Sequence, residues 1–200
     1  MLLQASILRP WTMDFFCAAG LATGMRVLDV GCGLGDVSFL VAELVGPDGS
    51  VIGIDRELAA VERARYRAEQ NGMNRRVRFA HAAIEDFASD ATFDAVVGRY
   101  VLVHLTDPAA ALRHLAELVR PGGLFVFHEL AIDPSSWGSF PEAPLWNWAY
   151  GLFAAAVSTA GVFPVFDKRL VRTFLDAGLP RPTMTATVPV GGGSGSYLFP

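Results

Sequence analysis

Between residues 25 and 130 the chain alternates short apolar runs with amphipathic stretches, and this rhythm restricts the fold more than any other feature. The runs cover 25–30, 50–54, 77–80, 93–97 and 124–130. Continuous apolar runs this short read as strands buried on both faces. Between them, 36–45, 58–71 and 109–119 space their apolar side chains as helices do, and 83–87 reads as a short turn or helix. The cluster Gly46-Pro47-Asp48-Gly49, then Gly72, then Pro121-Gly122-Gly123 stop successive elements. Strands that alternate with helices build right-handed βαβ units and a parallel sheet covered on both faces. The expected fold class is therefore α/β, doubly wound and mostly parallel. Two hundred residues fit a single domain, 1–200, with a sizeable core.

Three segments lie outside this rhythm. The first 24 residues read as a helical cap, with apolar Ile7, Leu8, Trp11, Phe15 and Phe16. Residues 131–166 form an aromatic insert containing Trp137, Trp146, Trp148 and Tyr150. Residues 143–166 carry no charge and are long enough to span a bilayer, yet Pro144, Asn147, Gly151, Gly161 and Pro164 interrupt them, so a buried helix is expected. Residues 167–177 resume as a helix ended by Gly178, and 183–188 alternate like a strand.

Composition excludes some functions. A net charge of −4, a pI near 5.5 and no basic stripe argue against a protein that grips nucleic-acid backbones. Arg9 and Pro10 interrupt the apolar start where a signal peptide needs continuity. Cys17 and Cys32 form no disulfide framework, which suits a reducing cytoplasm. His81, His114 and Cys17 have no companion at ligand spacing, so no metal is expected.

The first strand runs into Asp29-Val-Gly31-Cys32-Gly33-Leu-Gly35, followed by a helix. Glycines there let the chain turn sharply and let a ligand approach bare backbone, while the helix start offers N–H groups to an anionic oxygen. The spacing is G-x-G-x-G and not the G-x-G-x-x-G of dinucleotide binders, and a P-loop's Lys and Ser/Thr are missing. Twenty residues beyond Gly35, Asp55 ends the second strand, where a carboxylate can accept both hydroxyls of a ribose.

On these residues the chain resembles the class I S-adenosylmethionine-dependent methyltransferases. VLDVGCGLGD is similar to their first motif, VIGIDRE to the second, FDAVVGRYVLVHLTDP to the fourth-strand motif and LRPGGLFVFHEL to the fifth. The resemblance implies a Rossmann-like sheet of seven strands, the last antiparallel. It implies that Asp29, Gly31, Cys32, Gly33 and Gly35 hold the methionine portion of S-adenosylmethionine. Asp55 would take the ribose, with Arg56 beside it near the adenine. Ala82 stands where many relatives carry an adenine-edge Asp, so base recognition passes to the backbone N–H groups of Ala83 or Ile84. After 183–188 the chain is too short for the remaining strand, so the C-terminal strand is expected to be missing or truncated. The exposed edge is then covered by a second copy, as a homodimer, or the molecule is less stable than its relatives.

Methyl transfer is an in-line displacement in which the protein aligns, excludes water and sometimes supplies a base. Candidates at the C-terminal edge of the sheet are His104, after the fourth strand, and His128 and Glu129, at the tip of the fifth. Strand alternation lets only one of His128 and Glu129 face the site. Hydrogen-bonded packing is the alternative for each. Arg99 is a candidate for the cofactor carboxylate, or for a surface ion pair. Cys32, although inside the loop, reads as a small packing residue. The insert, with Trp146, Tyr150, Phe153 and Val157 on one helical face, suits an apolar or aromatic small molecule, and Gln4 and Trp11 are expected to close the opposite side. The alternative function keeps the cofactor without methyl transfer, as a scaffold or a non-methylating rearrangement.

Overall fold

Valine and isoleucine dominate the interior strands because both faces of a parallel sheet are covered and a β-branched side chain packs well on a pleated surface. The computed structural model describes residues 2–130, 141–159 and 166–187. Five strands, β1 (Arg26–Val30), β2 (Ser50–Asp55), β3 (Val77–His81), β4 (Phe93–Arg99) and β5 (Val119–His128), form one sheet in the order β3-β2-β1-β4-β5. Every pairing is parallel. The order reverses between β1 and β4, which opens a crevice beyond the strands' C-terminal ends.

Alternation along each strand divides the core. Val27, Val51, Val77, Ala95 and Val97 belong to one cluster, which also holds Phe16 of α1 (Leu2–Ala18), Leu40 and Val41 of α2 (Asp36–Val45) and Val61 and Ala64 of α3 (Leu58–Gln70). Leu28, Val30, Ile54 and Val96 point the other way and meet Ala111 and Leu115 of α4 (Pro108–Leu118), joined by Phe93 at the irregular start of β4. A third cluster joins Leu102, Val103 and Leu112 to Phe174 of α6 (Leu170–Asp176). The structure is therefore doubly wound, as expected.

Five readings need correction. The helix expected to reach residue 119 stops at Leu118, because Val119 already pairs with Phe93. Pro121-Gly122-Gly123 then forms a bulge within β5, since pairing jumps from Phe93–Val119 to Ala95–Leu124. Asp94, opposite this bulge, accepts from Arg120 Nε at 2.7 Å and from the Arg26 N–H at 2.7 Å, which holds its carboxyl below the usual range. The fifth strand ends at His128, so Glu129 lies just past it.

Residues 183–187 adopt no strand, and 188 lies outside the described residues. The insert's helix, α5 (Pro144–Thr159), is not buried: Leu145 is 75% exposed, Trp148 63% and Leu152 53%. No helix among the described residues is long and apolar enough to cross a membrane.

Candidate functional site

The crevice is floored by the glycine loop between β1 and α2. Gly31, Gly33 and Gly35 have φ of +63°, +51° and +84°, the left-handed region that costs any side chain strain. A Cβ on Gly31 would meet Val101 Cγ2 at 2.7 Å, and one on Gly35 would meet Phe79 Cζ at 2.7 Å. A Cβ on Gly33 would find no atom within 4 Å. The outer glycines are packed, whereas the middle one opens onto free space.

Hydrogen bonds hold the loop in place. The Cys32 N–H donates to the Ile54 carbonyl at 2.9 Å, and the Gly33 N–H donates to Asp55 Oδ2 at 2.8 Å. Asp55 Oδ1 accepts from the Glu57 N–H at 2.9 Å, so this carboxylate ties the loop to the turn after β2. Beneath the loop, Asp29 is 1% exposed and accepts from Ser38 Oγ at 2.5 Å. Burial pushes its carboxyl up to about 7, opposed by the Ser38 hydrogen bonds and the nearby Arg99 charge. Burial and the neighbouring carboxylates push the Cys32 thiol far above its usual range, so no thiolate forms there.

Arg56 is exposed, and its carbonyl accepts from His81 Nε2 at 3.0 Å. After β3 the Ala82 N–H donates to the Asp55 carbonyl at 3.0 Å. The next two N–H groups, of Ala83 and Ile84, have no protein acceptor among the described residues. Unpaired donors are uncommon near a protein interior, and these two are available to a ligand.

At the tips of β4 and β5 the side chains meet α1. Arg99 Nη1 donates to Thr12 Oγ1 at 3.3 Å, and Thr12 Oγ1 also lies 3.2 Å from His128 Nδ1. The His128 ring stands edge-on to Phe15 and Tyr100, with centroids 5.9 Å and 5.5 Å away. Burial and the Arg99 charge pull the His128 pKa down to about 4, so the ring is neutral near pH 7. Tyr100 has φ +59° and is the one non-glycine residue with positive φ among those described. Its N–H donates to the His128 carbonyl at 2.9 Å.

Glu129 is engaged elsewhere. Its carboxylate accepts backbone N–H groups of Val101 at 3.0 Å, Leu102 at 2.9 Å and Val103 at 3.4 Å. Both oxygens are thus committed to the turn after β4, although burial pushes the carboxyl up to about 7. His104, on the same turn, is exposed, and partial burial and the Arg56 charge lower its pKa. The side chain of Gln4 lies outside the described residues. Thr12 and Tyr100 were not legible as site residues from sequence; an aromatic just past the fourth strand was the sole hint. No group of three or more His, Cys, Asp or Glu that could hold a metal ion occurs among the described residues.

The family model described as "Methyltransferase domain" matches residues 21–143. An arsenite methyltransferase of Aquipseudomonas alcaligenes is 39% identical over 124 residues, a match taking in 58% of this chain and 36% of the relative. A ubiquinone biosynthesis O-methyltransferase of Alkalilimnicola ehrlichii is 38% identical over 135 residues, covering 65% of this chain and 52% of the relative. The chain thus spans about half the length, or less, of these curated relatives. Among solved structures, a SAM dependent methyltransferase from Aquifex aeolicus shares the fold with a TM-score of 0.55 and 23% identity, over 74% of this chain and 77% of that one.

Proposed function

Because the chain belongs to the class I methyltransferase family, we propose that it moves a methyl group from S-adenosylmethionine to O, N or C of a small apolar or aromatic molecule. The carrying observation is the open cradle at Gly33 beside the Asp55 carboxylate, at the tips of β1 and β2. A Cβ would fill that space, and the donor set fits the cofactor. The loop Gly31-Cys32-Gly33, with Gly35, would face the methionine portion, and Asp29 would support it from beneath. Asp55 would accept the ribose hydroxyls, Arg56 would flank the adenine, and the free N–H groups of Ala83 and Ile84 would meet its edge. Arg99, a five-donor cation with no carboxylate partner among the described residues, suits the cofactor's own carboxylate.

When bound, the cofactor supplies a methyl carbon on a positively charged sulfur. The chain's own residues orient the acceptor, exclude water and take up any proton. His128 and His104 are the groups able to take it, since both stay neutral near pH 7. Glu129 acts through the turn that it holds. The two relatives are named for unlike acceptors, so the acceptor of this chain is read from its own surfaces. The exposed aromatic face of α5, beyond the third core cluster, is suited to an apolar acceptor. Two free cysteines, Cys17 and Cys32, suit a reducing cytoplasm.

Calorimetric titration with S-adenosylmethionine and S-adenosylhomocysteine tests the reading. Asp55→Ala removes charge-assisted hydrogen bonds, and a loss of about 10- to 100-fold in affinity is expected. A folded wild-type protein that binds neither compound would overturn the proposal.

A further inference from the structure

The hydroxyl of Thr12 is fully buried at the junction of α1, β4 and β5, with three polar partners around one oxygen. A threonine hydroxyl owns one proton and two lone pairs. Arg99 Nη1, at 3.3 Å, can only donate, so it occupies one lone pair. The Leu8 carbonyl, at 3.0 Å, can only accept, so it takes the proton, as helical threonines often bond one turn back. A lone pair is all that is left for His128 Nδ1 at 3.2 Å, and that nitrogen must donate. Were the hydroxyl proton turned toward His128 instead, the Leu8 and Thr12 oxygens would face each other at 3.0 Å with no hydrogen between them.

We infer that Thr12 is a positioning residue which fixes His128 as its Nδ1–H tautomer and leaves the Nε2 lone pair free to accept a proton from the methyl acceptor. Nothing among the described residues hydrogen-bonds Nε2, and it is not a buried unpartnered atom, so it opens toward solvent or the crevice. Among the described residues, the groups facing the ring are Arg99 from β4, Tyr100 just beyond it, and Thr12 and Phe15 from α1; none of these is an acid. Burial, with the Arg99 charge, holds the imidazole neutral, and Thr12 decides which nitrogen bears the hydrogen.

The proton-accepting role rests on the methyl-transfer reading; the tautomer does not. It implies an acceptor that carries a removable proton, a hydroxyl being the simplest case. The acceptor oxygen would bond to the methyl carbon as the carbon–sulfur bond breaks and its electron pair stays on sulfur. The hydroxyl proton passes to Nε2, and the imidazolium beside Arg99 releases it to water.

The imidazole 15N shifts of His128, read by long-range proton–nitrogen NMR near pH 7 without any cofactor, test the tautomer. A pyrrole-type Nδ1 and a pyridine-type Nε2 are expected in the wild type. Thr12→Val removes the acceptor and should move the ring toward the Nε2–H form, whereas Thr12→Ser should restore the wild-type pattern. A wild-type ring already in the Nε2–H form, or a Thr12→Val spectrum identical to wild type, would overturn the assignment. If Thr12→Val does not fold, the wild-type and Thr12→Ser spectra still decide it. Retention of the Nδ1–H pattern in a protein that binds no S-adenosylmethionine would sink the methyl-transfer reading alone.

Discussion

At the scale of single residues, the three glycines of the loop are not equivalent, and the difference is measurable. All three sit at positive φ, where an alanine costs roughly 1–2 kcal/mol. At Gly31 the new methyl would also strike Val101, the residue whose N–H Glu129 holds, and overpacking of that kind adds about 1–3 kcal/mol. At Gly33 it would strike nothing in the protein. Urea unfolding should therefore show Gly31→Ala losing about 3 kcal/mol and Gly33→Ala only about 1 kcal/mol. Calorimetry should show Gly33→Ala losing S-adenosylmethionine affinity despite its near-normal stability. Equal stability losses would mean that Gly33 is packed as Gly31 is, and intact binding by Gly33→Ala would mean that the cradle is not a ligand site. The loop was legible in the sequence because its chemistry is local: strand, glycines, helix start. The Thr12–His128 contact was not, because its partners stand 116 residues apart and a threonine on a helix announces nothing.

Among the elements, the turn between β4 and α4 depends most on one side chain. Its successive N–H groups, 101 to 103, converge on Glu129, while Tyr100 bears the strain that makes the turn this tight. The carboxyl has a folded pKa of about 7 against an ordinary 4.5, so the folded state holds its proton more strongly than the unfolded chain does. Such a group favours folding most below pH 4.5, and that contribution fades as pH rises through about 7. Glu129→Gln removes the titration, and stability should then fall less steeply between pH 4.5 and 7 than in the wild type. Asp29 adds a slope of the same sign, and His128, with its lowered pKa, adds one of opposite sign between about 4 and 6.5, so the variant must be read as a difference from wild type. Identical slopes would show that Glu129 is ionised throughout. The strands and helices from β1 to α4 were readable to within a residue or two, because each carries its own apolar period and its own stop. The bulge in β5 was not, because only the partner strand reveals that Val119 pairs before Pro121-Gly122-Gly123. Nor was the commitment of Glu129, since strand alternation says which face a residue leaves by and not which N–H groups wait there.

At the scale of the whole molecule, the proposed function sets a cofactor end apart from an acceptor end. The matched family core ends at residue 143, and α5 begins at Pro144. The sequence showed an uncharged aromatic stretch there but not its exposure, because a helix apolar on every side ordinarily reads as buried. Its exposed aromatics contribute little to the core, so substitutions on that surface should leave folding within about 0.5 kcal/mol of wild type. Removing an apolar contact to an acceptor is a different matter, since one buried aromatic side chain contributes about 1.5–3 kcal/mol. Trp148→Ser and Phe153→Ser should therefore raise KM for an aromatic acceptor, found by screening phenols, by roughly tenfold or more. The thermal midpoint and the S-adenosylmethionine Kd should stay at wild-type values, because Gly33, Asp55 and Arg99 are untouched. Should the cofactor Kd move while the acceptor KM holds, α5 belongs to the cofactor's side of the crevice. The division of labour between core and insert would then have to be abandoned.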